Sequence, residues 1–317
     1  MSKTGYYTHR DCWKHEMGPG HPECPERLDA VEDRLLISGV FDALERREAP
    51  LASLNDIELA HDRMHVAALR GLSLRLAEEL EAGGPEHTAL DSDTSINVHT
   101  WNAALRSAGA ALEATDAVMA GELENAFCAV RPPGHHATRN KAMGFCFFNN
   151  VAVAAKYALQ RHNLQRVAVI DFDVHHGNGT EDILAGDERA LMCSFFQHPF
   201  YPYSGDQNPA PNMCNVPVPA YSKGMDIREV VEMMWIPRLE EFQPEMMFIS
   251  AGFDAHREDD MGQLGLTEQD FSWITQRLKD VARRYCNGRI VSCLEGGYIP
   301  SALARSVEAH LRVLADV

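Results

Sequence analysis

The chain has 317 residues, 45% hydrophobic and 24% charged, an ordinary globular composition that can bury a sizeable core. Lys and Arg number 29 against 46 Asp and Glu, and the net charge of −17 repels nucleic acid and anionic membranes and favours cationic partners. No stretch approaches the roughly 20 apolar residues of a membrane span, MSKTGYYTHRDCWKH lacks a signal-peptide core, and no linker or repeat divides the chain, so the expectation is one cytoplasmic α/β domain over residues 1–317.

Residues 5–25, rich in Gly, His, Pro and Cys, read as a long loop, and Pro25-Glu26-Arg27-Leu28 then opens a helix with Leu28, Val31, Leu35 and Leu36 at helical spacing. A helix follows over 62–82, stopped by Gly83-Gly84-Pro85, then a polar loop at Asp91–Ser95 and an Ala-rich helix over 103–119. Residues 126–130 form a buried strand that ends in Arg131-Pro132-Pro133-Gly134-His135-His136. GFCFFNN (144–150) leads into a helix over 151–160. Val167–Ile170 is a second buried strand, followed within six positions by Asp171, Asp173, His175 and His176. A strand over 190–196 runs into a Pro- and Asn-rich loop over 197–219, with an aromatic rim at Phe200-Tyr201-Pro202-Tyr203. A helix over 225–242, a strand over 245–251 ending in GFDAH, a strand over 289–294 ending in EGGY and a helix over 301–314 complete the chain. The eight cysteines, at 12, 24, 128, 146, 193, 214, 286 and 293, contain no C-x-x-C pair and read as reduced thiols.

Four strands thus finish in polar or glycine-rich residues. That is the pattern of a parallel, doubly wound sheet, whose ligands bind beyond the carboxyl ends of the strands. Asp173 and His175, two apart in an extended segment, point the same way and, with Asp254, suit a divalent metal with an open coordination position. Asp171 is better placed to support a ligand than to be one. His135-His136 supplies a general base, with Asp171 and Asn178 as orienting partners, and Tyr298 a neutral donor for a developing oxyanion. These parts describe metal-assisted hydrolysis of a carbonyl compound.

HPECPERL (21–28), RPPGHHA (131–137), GFCFFNN (144–150), DFDVHHGNGT (171–180), SAGFDAH (250–256) and LEGGY (294–298) resemble the zinc-dependent histone deacetylase and acetylpolyamine amidohydrolase family, over nearly the whole chain. The resemblance implies an open arginase-deacetylase fold with a parallel sheet of about eight strands flanked by helices. It implies zinc, with iron(II) as the alternative, on Asp173, His175 and Asp254. His136 becomes the general base and acid, His135 its electrostatic partner beside Asp171, and Tyr298 the residue that polarises the acetyl carbonyl. Gly144, Phe145, Tyr201 and Met261 become walls of an acyl-lysine tunnel. Asp93, with Asp91 as a rival, becomes a clamp on the substrate. Asp171, Asp173, His175, Ser194 and Phe195 become a structural potassium site.

Two positions depart from parts of the family. Asn178 stands where nuclear members carry an acid, as in the class II branch and its bacterial relatives, and Met261 where a polyamine-specialised branch carries a gatekeeping glutamate. The expected substrate is an acetylated cationic small molecule or an acetyl-lysine protein. Glu16, Glu23, Asp91, Asp93, Glu258, Asp259 and Asp260 lie on loops near the expected mouth, either to bind an amine or as solvated surface. The 10–25 and 197–219 loops are long enough for a lid or a homo-oligomer interface. The alternatives are an arginase-like ureohydrolase, another short-chain acylamide hydrolase, or a catalytically weak acetyl-lysine-binding module.

Overall fold

A computed structural model describes residues 3–317; Met1 and Ser2, the first residues of the N-terminal stretch read above, lie outside the described residues. Among the described residues ten strands occur: β1 Thr4–Thr8, β2 Leu44–Glu48, β3 Thr88–Ala89, β4 Ser95–Ile96, β5 Asn125–Cys128, β6 Val167–Asp171, β7 Ala190–Gln197, β8 Met213–Val218, β9 Met246–Ala251 and β10 Ile290–Leu294. Eight build one sheet in the order β2-β1-β5-β10-β9-β6-β7-β8, every pair parallel, while β3 and β4 form a small antiparallel hairpin.

Every residue of β5, β6, β7, β9 and β10 is buried, so both faces of the sheet are covered. Helices Thr100–Met119 and Asn150–Arg161 pack together against the central strands. Helices Glu26–Ile37, Glu268–Tyr285 and Pro300–Ala315 form a second packed group. The chain lays down β5, jumps to β6, builds outward through β7 and β8, then returns to insert β9 and β10 between β5 and β6. The four strands that end in polar motifs are therefore four consecutive neighbours at the centre of the sheet. Ligand sites of open α/β sheets sit at such a reversal of strand order.

Several expectations are corrected. The 5–25 stretch is not one loop: it contains most of β1, with Tyr6 and Tyr7 buried, and a short helix at Asp11–Lys14. β2 reads LERRE and is half exposed because it is the sheet's edge, where a polar strand is tolerated. The 197–219 loop contains β8 at the opposite edge, where Pro217 removes no needed donor. Helix Glu268–Tyr285, for which no element was expected, carries a Thr267–Asp270 capping box and buried Phe271, Ile274, Leu278 and Val281 at helical spacing. The 225–242 helix runs with a wider turn at Val231–Trp235, just before Pro237, whose ring cannot donate to the preceding turn.

Candidate active site

The loops that leave β5, β6, β9 and β10 meet at the carboxyl end of the sheet. Asp173, His175 and Asp254 are buried there, with one potential ligand atom from each lying within 4.8 Å of the others. His175 Nδ1 sits 2.9 Å from Asp173 Oδ1 and 3.1 Å from Asp254 Oδ2. Backbone amides steer the carboxylates: Gly296 N donates to Asp173 Oδ2 at 2.9 Å and Val174 N to Asp254 Oδ1 at 2.8 Å. Close approach requires glycine beside them, since a Cβ at Gly252 would lie 2.0 Å from Asp173 Oδ2 and one at Gly296 2.1 Å from Asp254 Oδ2.

The cluster fits a divalent cation. Among the described residues no donor meets hydrogen-bond geometry at the buried Asp254 Oδ2, although His175 Nδ1 stands 3.1 Å away. Burial, and then the charge of Asp173, push the Asp254 carboxyl up to about 7. Burial would lower His175, but Asp173 and Asp254 outweigh it and pull the imidazole up to about 10. Two buried carboxylates competing for one proton are the environment that a metal relieves, and two oxygens with one imidazole nitrogen suit zinc or iron(II).

His135 and His136 leave β5 side by side, with ring centroids 4.0 Å apart. His135 Nδ1 donates to Asp171 Oδ2 at 3.0 Å. Burial disfavours its cation, yet Asp173 and Asp171 reverse that and raise it well above the usual histidine range. His136 Nδ1 donates to Asn178 Oδ1 at 2.8 Å, which leaves Nε2 with the lone pair. Burial, reinforced by His135 and His175, holds His136 well below the usual range, so it is neutral at pH 7. Against the backbone that carries His135 lies Glu295, part of LEGGY, which was not among the expected site residues. Its carboxylate accepts from Gly134 N at 2.6 Å, His135 N at 3.1 Å and Ser250 Oγ at 3.0 Å, and burial pushes it up to about 7. An acid directly after a buried strand was the signal that could have found it.

A cavity of about 250 Å³ opens over this group. Its lining unites His136, His175 and Tyr298 with Gly144, Phe145, Tyr201, Met261 and Asp93, and adds Phe200 and Asp260. Phe200 stacks on His175 at 5.5 Å and Tyr201 stands edge-on to His136 at 5.2 Å. Gly144 has φ +54°, and a Cβ there would lie 2.4 Å from the His136 ring, so only glycine lets the wall close over that imidazole. Asp91 does not line the cavity; it accepts Asp93 N and Thr94 N at 3.1 and 2.7 Å and shapes the turn that presents Asp93.

The remaining acids named near the mouth lie outside the cavity lining. Glu23 is fully buried, paired with Arg27 Nη1 at 3.0 Å and with Arg131 Nη2 at 2.7 Å. Asp259 is buried on backbone amides, Glu258 pairs with Arg305 at 2.9 Å, and Glu16 is exposed outside the lining. Only long-range packing could show this, since loop acids look alike in sequence. Arg27 also donates to Gly297 O at 2.7 Å and lies 5.0 Å over the Tyr298 ring. Asp171 and Ser194 are register partners on β6 and β7, next to Phe195 and to the turn that carries Asp173 and His175, so the residues expected around potassium lie together.

The family profile described as the histone deacetylase domain matches residues 21–314. A probable deacetylase of Archaeoglobus fulgidus is 36% identical over 307 residues, covering 93% of this chain and 81% of that protein. A histone deacetylase-like amidohydrolase of Pseudomonas aeruginosa is 37% identical over 287 residues, covering 88% and 73%. Among solved structures, the crystal structure of the HDA15 HD domain superposes with a TM-score of 0.90 at 32% identity, covering all of this chain and 90% of that one. Among the described residues, no helix is long and apolar enough to cross a membrane.

Proposed function

The chain belongs to the histone deacetylase family, and from that premise we propose that it hydrolyses the acetamide of acetyl-lysine or of an acetylated polyamine, with zinc or iron(II) held by Asp173, His175 and Asp254. One observation carries the reading: a base, a metal-type ligand and an oxyanion donor (His136, His175 and Tyr298) line the same narrow cavity.

A divalent cation bound there supplies Lewis acidity toward the acyl carbonyl and lowers the pKa of a water. His136 Nε2 takes the proton of the water that attacks the acyl carbon, then returns it to the departing nitrogen. His135, kept cationic by Asp171 and Asp173, favours the negative charge that develops beside it. Burial and Asp254 raise the Tyr298 phenol well above its usual range, so it stays protonated and donates to the carbonyl oxygen as charge collects there. The C–N bond breaks, and acetate and the amine leave. Phe145, Phe200 and Tyr201 exclude water around an alkyl chain. Asp93 and Asp260 at the mouth attract a cationic amine. The same reading places a structural potassium ion among Asp171, Asp173, His175, Ser194 and Phe195, and a cytoplasmic setting is supported by eight free thiols.

A two-metal ureohydrolase is disfavoured: among the described residues one cluster offers metal-type ligands, and His256 lies outside it. The test is kcat/KM of the metal-loaded protein on an acetyl-lysine peptide beside acetylputrescine and acetylcadaverine, with His136→Ala as control. A preference for the diamines above about tenfold, roughly 1.4 kcal/mol, assigns the mouth acids to substrate. A peptide preference assigns a protein deacetylase. No turnover of any, with metal bound, refutes hydrolysis and favours a binding module.

A further inference from the structure

The segment that leaves β9 and the segment that leaves β10 are joined by one side chain. Asp259 is 5% exposed, and three backbone amides donate to its carboxylate. Its Oδ2 accepts Tyr298 N at 2.6 Å and Ile299 N at 3.3 Å, and its Oδ1 accepts Met261 N at 3.0 Å. Met261 and Tyr298 stand in the wall of the same cavity. Among the described residues none makes a hydrogen bond with the Tyr298 phenol to fix it. Its direction depends on its ring contacts, Arg27 at 5.0 Å and Phe145 at 5.9 Å, and on where the backbone releases it. Arg27 holds the preceding carbonyl, Gly297 O, and Asp259 holds the following amide. A charged acceptor for three amides is a strong restraint, because bonds to an ionised carboxylate are about twice as strong as neutral ones.

We propose that Asp259 is a positioning residue: it sets the Tyr298 hydroxyl for the carbonyl oxygen and makes that alignment follow the tunnel wall at Met261. The inference rests on the reading of Tyr298 as the oxyanion donor. A donor displaced by about 1 Å loses on the order of 100-fold in rate.

The experiment is a double-mutant cycle on the metal-loaded full chain. Asp259→Asn keeps the shape but turns an amide NH₂ toward at least one backbone N–H. The expected result is a 10- to 100-fold fall in kcat with KM within about threefold, metal content and Tm preserved, and faster hydrogen exchange at residues 297–300. In a Tyr298→Phe background, Asp259→Asn should cost less than about threefold more. Asp259→Glu, which keeps the charge but moves the carboxylate, should show the same kcat-selective loss and serves if Asp259→Asn does not fold. Near-parental kcat in the variants, or an equal loss with and without the Tyr298 hydroxyl, overturns the proposal alone. No turnover by the parent protein overturns the reading of Tyr298 and this inference with it.

Discussion

Gly296→Ala tests whether the carboxylate cradle is built for a cation. A Cβ at Gly296 would lie 2.1 Å from Asp254 Oδ2 and 2.5 Å from Asp173 Oδ2, where ordinary contact begins at 3.4 Å. Neither carboxylate is a flexible chain end. Asp254 is held by Val174 N, and Asp173 by Gly296 N itself. Both would have to retreat by about an ångström, whereas metal–ligand distances tolerate about 0.2 Å. Losing the support of a single ligand costs about 10- to 100-fold in affinity, and here two of three ligands move. The expected outcome is a metal Kd at least about 100-fold weaker, near 3 kcal/mol, with activity at saturating metal also impaired. Zinc titrations in a competing chelator, with metal content by mass spectrometry, read this directly. Gly265→Ala is the control, because its nearest atom would lie at an ordinary 3.5 Å. A folded Gly296→Ala protein that binds zinc within threefold of the parent would refute the reasoning.

Chelating the metal should lower Tm, since a ligand at 100 times its Kd contributes about 2.7 kcal/mol; calorimetry with and without chelator checks it, and an unchanged Tm counts against the site. Asn178→Asp places a charge on His136 Nδ1, 2.8 Å from the present oxygen, and should raise the pKa of the base, moving the acid limb of the kcat/KM profile to higher pH by about one unit. An unmoved limb sinks that account. Glu295, buried and raised to about 7, keeps its proton when folded at pH values where the unfolded chain has lost it. Its contribution is therefore full below about pH 4.5 and lost as pH rises to 7, about 3 kcal/mol in all. Glu295→Gln should flatten denaturant-derived stability across that window, and an unaltered slope would show that Glu295 does not titrate there.

Local polarity along the chain marks where the candidate site lies. Buried runs ending in His-His, Asp-x-Asp-x-His, Asp and Gly-Gly-Tyr can be recognised without a structure, because a strand covered on both faces shows a continuous apolar run and a charge at its end needs a reason. The metal-type ligands, the histidine pair, Tyr298 and the parallel sheet all follow from that. The strands β1, β2 and β8 do not: β2 and β8 are short edges partly open to solvent that resemble loops, and β1, though buried between β2 and β5, reads TGYYT and shows no apolar run.

Loop acids divided only in three dimensions. Asp91 and Asp93 are equivalent in sequence, yet one closes a turn and the other lines the cavity. Glu23 and Asp259 read as candidates for the mouth, but partners 108 and 39 residues away draw one into a buried ion pair and the other under Tyr298. A charged side chain takes its role from whatever desolvates and pairs it, and at those separations that is decided by how the strands are ordered in the sheet. What the sequence determined by itself is the set of candidate reacting groups, because period and polarity are local. What only the tertiary structure decided is how those groups are held, because burial and pairing are not.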